Sequence, residues 1–386
     1  MQIFADLWFF AYVAVAAIPA IILGVREKPI KYYLFFVTLF FVYFAMKDNT
    51  RALIYLLIFC LWQYALVRGY LFIRKKYDRQ SKFYFLAIAL AIAPLAVNKV
   101  TSFVGMSILG FLGISYITFK VVQMVIEIYD GIIVKTNPLF FFNFILFFPA
   151  ITSGPIDRSR RFEQDMNTVP TRAEYLDLVG KGLVKIVLGV LYKFVLAAAV
   201  YQGILWLGSG KSLSEALIYM YCYGIYLFFD FAGYSQMAIG VSYIFGVKTP
   251  ENFNKPFLSK DIKEFWDRWH ITLSHWFRDF VFSRFMMQAI RKKWFKTKLT
   301  AASVGFLINM GLMGLWHGLE LHYIIYGFYH GVLLALTEAY QKKSKFHKKH
   351  KKKKWYIGIS WFITFNLVMF GFFIFSGRFT ELIGGK

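Results

Sequence analysis

Acidic side chains are scarce in this sequence: 21 aspartates and glutamates stand against 45 lysines and arginines in 386 residues, and charged residues make up only 17% of the chain. Soluble domains carry about 25% charge, so a freely soluble globular protein is excluded. Only two cysteines occur, Cys60 and Cys222, both inside apolar runs. A thiol there packs as a small hydrophobe and is silent about redox compartment. No HExxH, no CxxC and no cluster of carboxylates is present, which argues against a metal site. There is no GxSxG elbow and no cysteine in a polar setting, so covalent nucleophilic catalysis lacks its usual residues. The absence of a Walker-type glycine loop argues against a nucleotide-driven pump. No internal repeat is visible, and no stretch marks off a separate soluble domain.

What the chain has instead is hydrophobicity, 58% of residues, with 21% aromatic. Long apolar runs recur at 7–25, 31–46, 52–73, 83–98, 102–133, 139–152, 183–207, 213–246, 299–317, 323–340 and 355–376. Many approach the roughly 20 residues a helix needs to span a bilayer. The expectation is an all-α polytopic membrane protein of about eleven transmembrane helices, the shorter runs re-entrant or interfacial, forming one integral membrane domain over 1–386. The first run is preceded by Asp6 and by no basic residue. That is unlike a secretory signal, so it should stay attached as the first span.

The net charge of +24 is concentrated in loops: RKKYDRQSK at 74–82, RKKWFKTK at 291–298 and KKSKFHKKHKKKK at 342–354. The positive-inside rule makes these loops cytoplasmic, and counting spans back from 74–82 puts the amino terminus outside. Attraction to anionic lipid follows from the same charge. Nucleic acid is not an expected partner, because membrane spans flank every lysine run.

Three polar islands interrupt the apolar pattern. FPAITSGPIDRSRRFEQD, 148–165, opens at a Gly-Pro turn into Asp157, Arg158, Arg160 and Arg161, and reads as a loop anchored by arginines. In YLFFDFAGYSQMAIG, 226–240, Asp230 lies between pairs of aromatics. A lone carboxylate there costs several kcal/mol, so it either bonds a nearby donor and holds helices together or faces a wet cavity. In 252–298, Phe265, Trp269, Leu273, Trp276 and Phe280 recur at spacings of four, four, three and four. The spacing predicts one helix with an apolar stripe, lying along the interface or lining a polar cavity. His270 and His275 would then be about 140° apart and could not share a face.

Of seven histidines, His347 and His350 fall in the lysine run, while His322 and His330 read as packing or interfacial groups. His317 alone has the local sequence of a site, with Gly314 and Gly318 permitting close backbone approach and Trp316 as a wall. It is either a satisfied core histidine or a functional one. If functional, the chemistry left is a neutral imidazole acting as general base on a substrate hydroxyl. That hydroxyl could attack an activated acyl group with neither metal nor enzyme nucleophile. His317 stands about 19 residues beyond loop 291–298, some 28 Å along a continuous helix, and a kink at Gly305, Gly311 or Gly314 would bring it nearer the middle of the membrane.

FWDRWHITLSHWFRDF at 265–280 and GLMGLWHG at 311–318, with YLFFDFAGYSQMAIG upstream, resemble the signature of the membrane-bound O-acyltransferase (MBOAT) family, with a motif core over about 226–331. The resemblance implies helices around a central tunnel, His317 as catalytic base and His270 as its assistant, with Trp266, Asp230, Trp316 and Arg268 in tunnel or supporting positions. After the aromatic-rich motif, polysaccharide O-acetyltransferases of the alginate type usually continue Pro-Leu-Gly-Gly-Asn-Arg, whereas this sequence reads SRFMMQAIRKKW. With TSGPIDRSRRF at 152–162, that departure resembles the branch that transfers D-alanine toward teichoic acid in the plasma membrane of Gram-positive bacteria.

That branch implies a donor thioester on the phosphopantetheine arm of a cytosolic D-alanyl carrier protein, no tightly bound cofactor, lipoteichoic acid outside as the destination, and further membrane proteins of the pathway as partners. Carrier docking is expected on Met286, Met287 and Ile290, beside Arg291, Lys292 and Lys293. The same stretch also reads as an interfacial helix sunk among headgroups. Alginate-type O-acetylation and a non-catalytic D-alanyl channel remain the other readings.

Overall fold

Backbone polar groups in lipid must be satisfied within the segment, so each of the eleven apolar runs folds as helix. The computed structural model describes residues 3–106, 108–207 and 212–384. Its contacts divide the chain into two compact units, Met1–Val190 with Gly233–Pro250, and Leu191–Ala232 with Glu251–Lys386.

The first unit holds α1 (Leu7–Val25), α2 (Lys31–Met46), α3 (Thr50–Tyr77), α4 (Ser81–Phe103), α5 (Ile114–Tyr129), α6 (Pro138–Leu146), α7 (Ser159–Asn167) and α8 (Arg172–Val190). The run expected at 102–133 is helical mainly over α5, because Gly105 and Gly113 take φ of 82° and 92° and break it. The buried charged side chains of this unit are bonded. Lys120, 1% exposed, donates to the Phe144 carbonyl at 2.8 Å at the end of α6. Gln123 Nε2 and Ser159 Oγ both donate to Glu127. Arg161 ties the 148–165 island together, donating from Nε to Asp157 at 2.6 Å and from Nη1 to Asp165 at 2.8 Å, and Asp165 also accepts the Lys248 amide. Arg161 anchors that island as expected, but from Ser159 on the chain is helix α7 and not loop.

The second unit begins with a π-helical stretch, Leu191–Ala197, followed by α9 (Ala198–Leu207) and α10 (Leu213–Ile244), whose residues from Gly233 on belong to the first unit. Then come α11 (Ile262–Trp266), α12 (Ile271–Phe277), α13 (Ser283–Arg291), α14 (Lys298–His317), α15 (Leu321–Lys343), α16 (Lys345–His350), α17 (Lys354–Phe375) and α18 (Arg378–Gly384). Among the described residues, seven helical segments are both long and apolar enough to cross a membrane, fewer than the runs counted from sequence. Lys31–Met46 and Pro138–Ala150 fall short in length, and α5 is 16 residues interrupted by Lys120, Gln123 and Glu127. The 23-residue α15 is long enough, but its histidines and tyrosines dilute it.

One local expectation is corrected. The stripe at 265–280 is not on one helix: α11 ends at Trp266, a turn follows, and α12 starts at Ile271. Four of the five stripe residues, Phe265, Trp269, Leu273 and Trp276, are in the core, and Phe280 is half-buried. The helix α14 runs unbroken from Lys298 to His317, and its glycines serve packing: a Cβ on Gly314 would sit 2.5 Å from the Tyr323 carbonyl oxygen and 3.1 Å from the Gly327 Cα, so α14 and α15 meet backbone to backbone.

Candidate active site

His270 is placed by backbone pairing across 18 residues. The turn after α11 lies against 252–254 through the isolated antiparallel bridge of Phe253 with Trp269, with Asn254 N–H donating to the Arg268 carbonyl at 3.0 Å and Ile271 N–H to the Asn252 carbonyl at 2.9 Å. This holds His270 at φ 42°, ψ 52°, a left-handed conformation that costs a non-glycine residue about 1–3 kcal/mol. The Asn252 side chain supports the turn: its Oδ1 accepts from Thr272 Oγ1 at 2.6 Å and lies 3.4 Å from His270 Nδ1. Because an amide oxygen only accepts, Nδ1 is the protonated nitrogen, and Nε2 carries the lone pair. Nε2 is buried and has no hydrogen-bond partner among the described residues. The Phe231 ring meets the imidazole edge-on at 4.7 Å. Burial, and secondarily the nearness of His317, push the His270 ring below its ordinary value, so it stays neutral.

His317 closes α14, 20 residues and about 30 Å from Lys298. The half-buried ring is walled by Trp316 at 4.5 Å, Phe375 edge-on at 4.9 Å and Tyr323 at 6.0 Å. A charge on His317 is felt at His270, so the fold brings together two rings that are 47 residues apart in sequence.

The other expected residues divide. Trp266 is buried, and its Nε1 lacks a partner among the described residues. Its ring meets His330 at 5.1 Å, His330 meets Tyr326 at 4.7 Å, and Tyr326 lies 6.3 Å from His317. A continuous aromatic wall therefore connects the two motifs. His330, read from sequence as packing or interfacial, is fully buried with neither ring nitrogen bonded among the described residues, and its Nε2 occupies the space that a Cβ on Gly371 would need. Its burial could not be seen from a local sequence of glycines and aromatics.

Asp230 does have a donor, Lys193, from the π-helical stretch. Such stretches are common at functional sites, but this pairing over 37 residues had no sequence signal. Arg268 is turned to Glu264 at 2.6 Å, an ion pair one helical turn away, and supports α11. His275 stands apart from His270, 3.5 Å from Asp267. Among the described residues, no three His, Cys, Asp or Glu side chains are grouped to hold a metal ion.

On α13, Met287 and Ile290 are 61% and 49% exposed, with Trp294 beyond them at 51%. Met286 is half-buried, while Arg291, Lys292 and Lys293 are exposed around this face.

Comparison with known proteins follows this geometry. Residues 106–377 match the family model described as MBOAT, membrane-bound O-acyltransferase family. The chain is 42% identical over 392 residues to the teichoic acid D-alanyltransferase of Bacillus subtilis (strain 168), covering 98% of each. It is 40% identical to the protein of the same name from Streptococcus thermophilus, covering 99% of this chain and 96% of that one. A probable alginate O-acetylase of Pseudomonas syringae is 32% identical over 71% of this chain and only 50% of its own length.

Proposed function

Because the chain belongs to the membrane-bound O-acyltransferase family, and is thus a multi-pass membrane acyltransferase, we propose that it moves D-alanine from a carrier-protein thioester to a hydroxyl acceptor of teichoic-acid D-alanylation, with His317 as general base. The observation that carries this reading is the aromatic wall from Trp266 through His330 and Tyr326 to His317, together with a neutral His270 whose Nε2 has no partner among the described residues. Near full-length identity to teichoic acid D-alanyltransferases supports the substrate, whereas the alginate-type relative shares only half its own length.

In the proposed reaction the neutral His317 ring takes the proton of the acceptor hydroxyl as its oxygen attacks the thioester carbonyl carbon. The C–S bond breaks, and the sulfur leaves with the proton returned by the imidazolium. His270 orients the hydroxyl and not the carbonyl, since its Nδ1–H is committed to Asn252 and Nε2 can only accept. Trp266 and Trp316 wall the site, and Asp230 with Lys193 braces α10. The phosphopantetheine arm comes with the carrier, so no tightly bound cofactor enters the scheme.

The carrier docks on the cytoplasmic side at Met287 and Ile290, where methionine suits a partner that binds and releases quickly and the neighbouring cations raise the on-rate. In this topology the amino terminus and the teichoic-acid acceptor are outside, in the plasma membrane of a Gram-positive bacterium, and α14 carries His317 away from the docking face. The test is transfer of labelled D-alanine from loaded carrier to purified membranes containing the protein. Wild type should yield labelled ester, and Met287→Asp should lose carrier binding and transfer at normal membrane yield. Ester formation that survives His317→Ala would leave a D-alanyl channel as the better reading.

A further inference from the structure

A cleft of about 980 Å³ opens between α11, α15 and α17, apart from the histidines. That volume is at the upper end of the ~300–1,000 Å³ typical of small-molecule sites. One limb is apolar, formed by Leu333 and Leu336 of α15 and by Ile359, Ile363 and Leu367 of α17. Along α17 the lining runs from Trp355 to Leu367, a rise of about 18 Å, close to the ~15 Å of one leaflet in a ~30 Å hydrocarbon core. The other limb is polar and basic. Lys260, His347 and Lys351 line it with the hydroxyls of Tyr340 and Tyr356, and His347 Nδ1 is 2.8 Å from the Tyr356 oxygen.

The lining carries three lysines and three acids, and they are not paired with one another. Asp261 caps α11 and accepts from Gln341 at 3.0 Å. Glu264 accepts from Arg268 at 2.6 Å, Asp267 lies 3.5 Å from His275 and 3.6 Å from Arg278, and Lys263 is paired with Glu338. Glu264 and Asp267 are thus paired with cations outside the lining and Asp261 is bonded only to neutral donors, while Lys260 and Lys351 make no ion pair among the described residues. The lysines of 342–354 add to the same field. A ligand complementary to this cleft has an anionic head and an apolar tail of about one leaflet.

We propose that the cleft binds one anionic diacyl phospholipid, its phosphate held between Lys260 and Lys351 beside the two tyrosine hydroxyls, and an acyl chain lying along α15 and α17. A soluble acidic protein could meet the lysines, but it could not enter an apolar limb that follows a membrane-crossing helix.

The test is native mass spectrometry of the full chain in detergent, given equal phosphatidylglycerol and phosphatidylcholine with identical acyl chains. Wild type should retain phosphatidylglycerol preferentially, by about fivefold for each contributing lysine. Lys260→Gln with Lys351→Gln should erase the preference, and Lys348→Gln with Lys352→Gln, which do not line the cleft, should keep it. Leu336→Trp, or Ile363→Trp should the first fail to elute as folded protein, should reduce retention of both lipids. Glycerol phosphate, which has the charge without the chains, should not displace the bound lipid. Equal retention by wild type, equal losses from the two lysine pairs, displacement by glycerol phosphate, or one-to-one displacement by an acidic carrier protein would each overturn the proposal.

Discussion

The buried charged side chains of the first unit and the buried ring nitrogens of the second are treated in opposite ways. In the first, Lys120, Glu127 and Asp157 all have hydrogen-bond partners inside the fold. In the second, His270 Nε2, Trp266 Nε1 and both nitrogens of His330 have none among the described residues. A buried polar group without a partner costs about 1–3 kcal/mol, so ring nitrogens left unpartnered are candidates for use by a substrate. The first set holds the structure together, and the second includes the proposed site residues His270 and Trp266.

The largest effect expected from that contrast is at His317. Replacement by alanine should lower D-alanyl transfer on the order of a hundredfold to ten-thousandfold at unchanged membrane yield, measured with labelled carrier. Retention of more than about a tenth of wild-type transfer would remove it as the base. Asp157→Ala should do the reverse, destabilising by about 1–3 kcal/mol because Arg161 loses a partner in a half-buried setting. Thermal unfolding in detergent would report the loss, while transfer per folded molecule stays near wild type; a selective loss of transfer would break the division.

Trp266→Phe sharpens the comparison, because it deletes an N–H that bonds nothing within the described fold. Transfer should fall about tenfold, the equivalent of roughly 1.4 kcal/mol, with the unfolding temperature little changed. A fall in stability without a fall in transfer would place that indole with the structural set. The smallest effect is in pH dependence. Burial keeps His270 neutral in the folded state, whereas the unfolded chain takes up a proton below about pH 6.5. Its contribution is therefore fully present above about 6.5 and declines as pH falls toward the lower folded value. His270→Gln should flatten that decline between about pH 6.5 and 5, and an unchanged slope would show that the ring is not held neutral.

The sequence made the helices legible because lipid forces long unbroken apolar runs, and His317 legible because an imidazole is conspicuous among glycine, leucine and tryptophan. The break between α11 and α12 was not legible. No proline or glycine marks it in 265–280, and it is imposed by pairing with Asn252 and Asn254, outside the helical window. The same limit hid Lys193 from Asp230 and hid the full burial of His330, since partners on other helices have no fixed spacing in sequence. In the arginine-rich island the anchoring role of arginine was legible because Arg161 and its acids are one helical turn apart, although the helix α7 was read as loop.

At Gly314 and Gly327 the two long helices touch without any side chain between them. Each glycine is followed three residues later by a histidine, His317 on one helix and His330 on the other. With no compressible layer at the contact, these two rings are set like marks on a pair of clamped rulers, and neither helix can slide by a fraction of a turn to suit a bulkier acyl group. Tolerance for a larger amino acid would have to come from the side chains that wall the site, such as Phe375 or Tyr323, because the spacing of the hairpin itself is not adjustable.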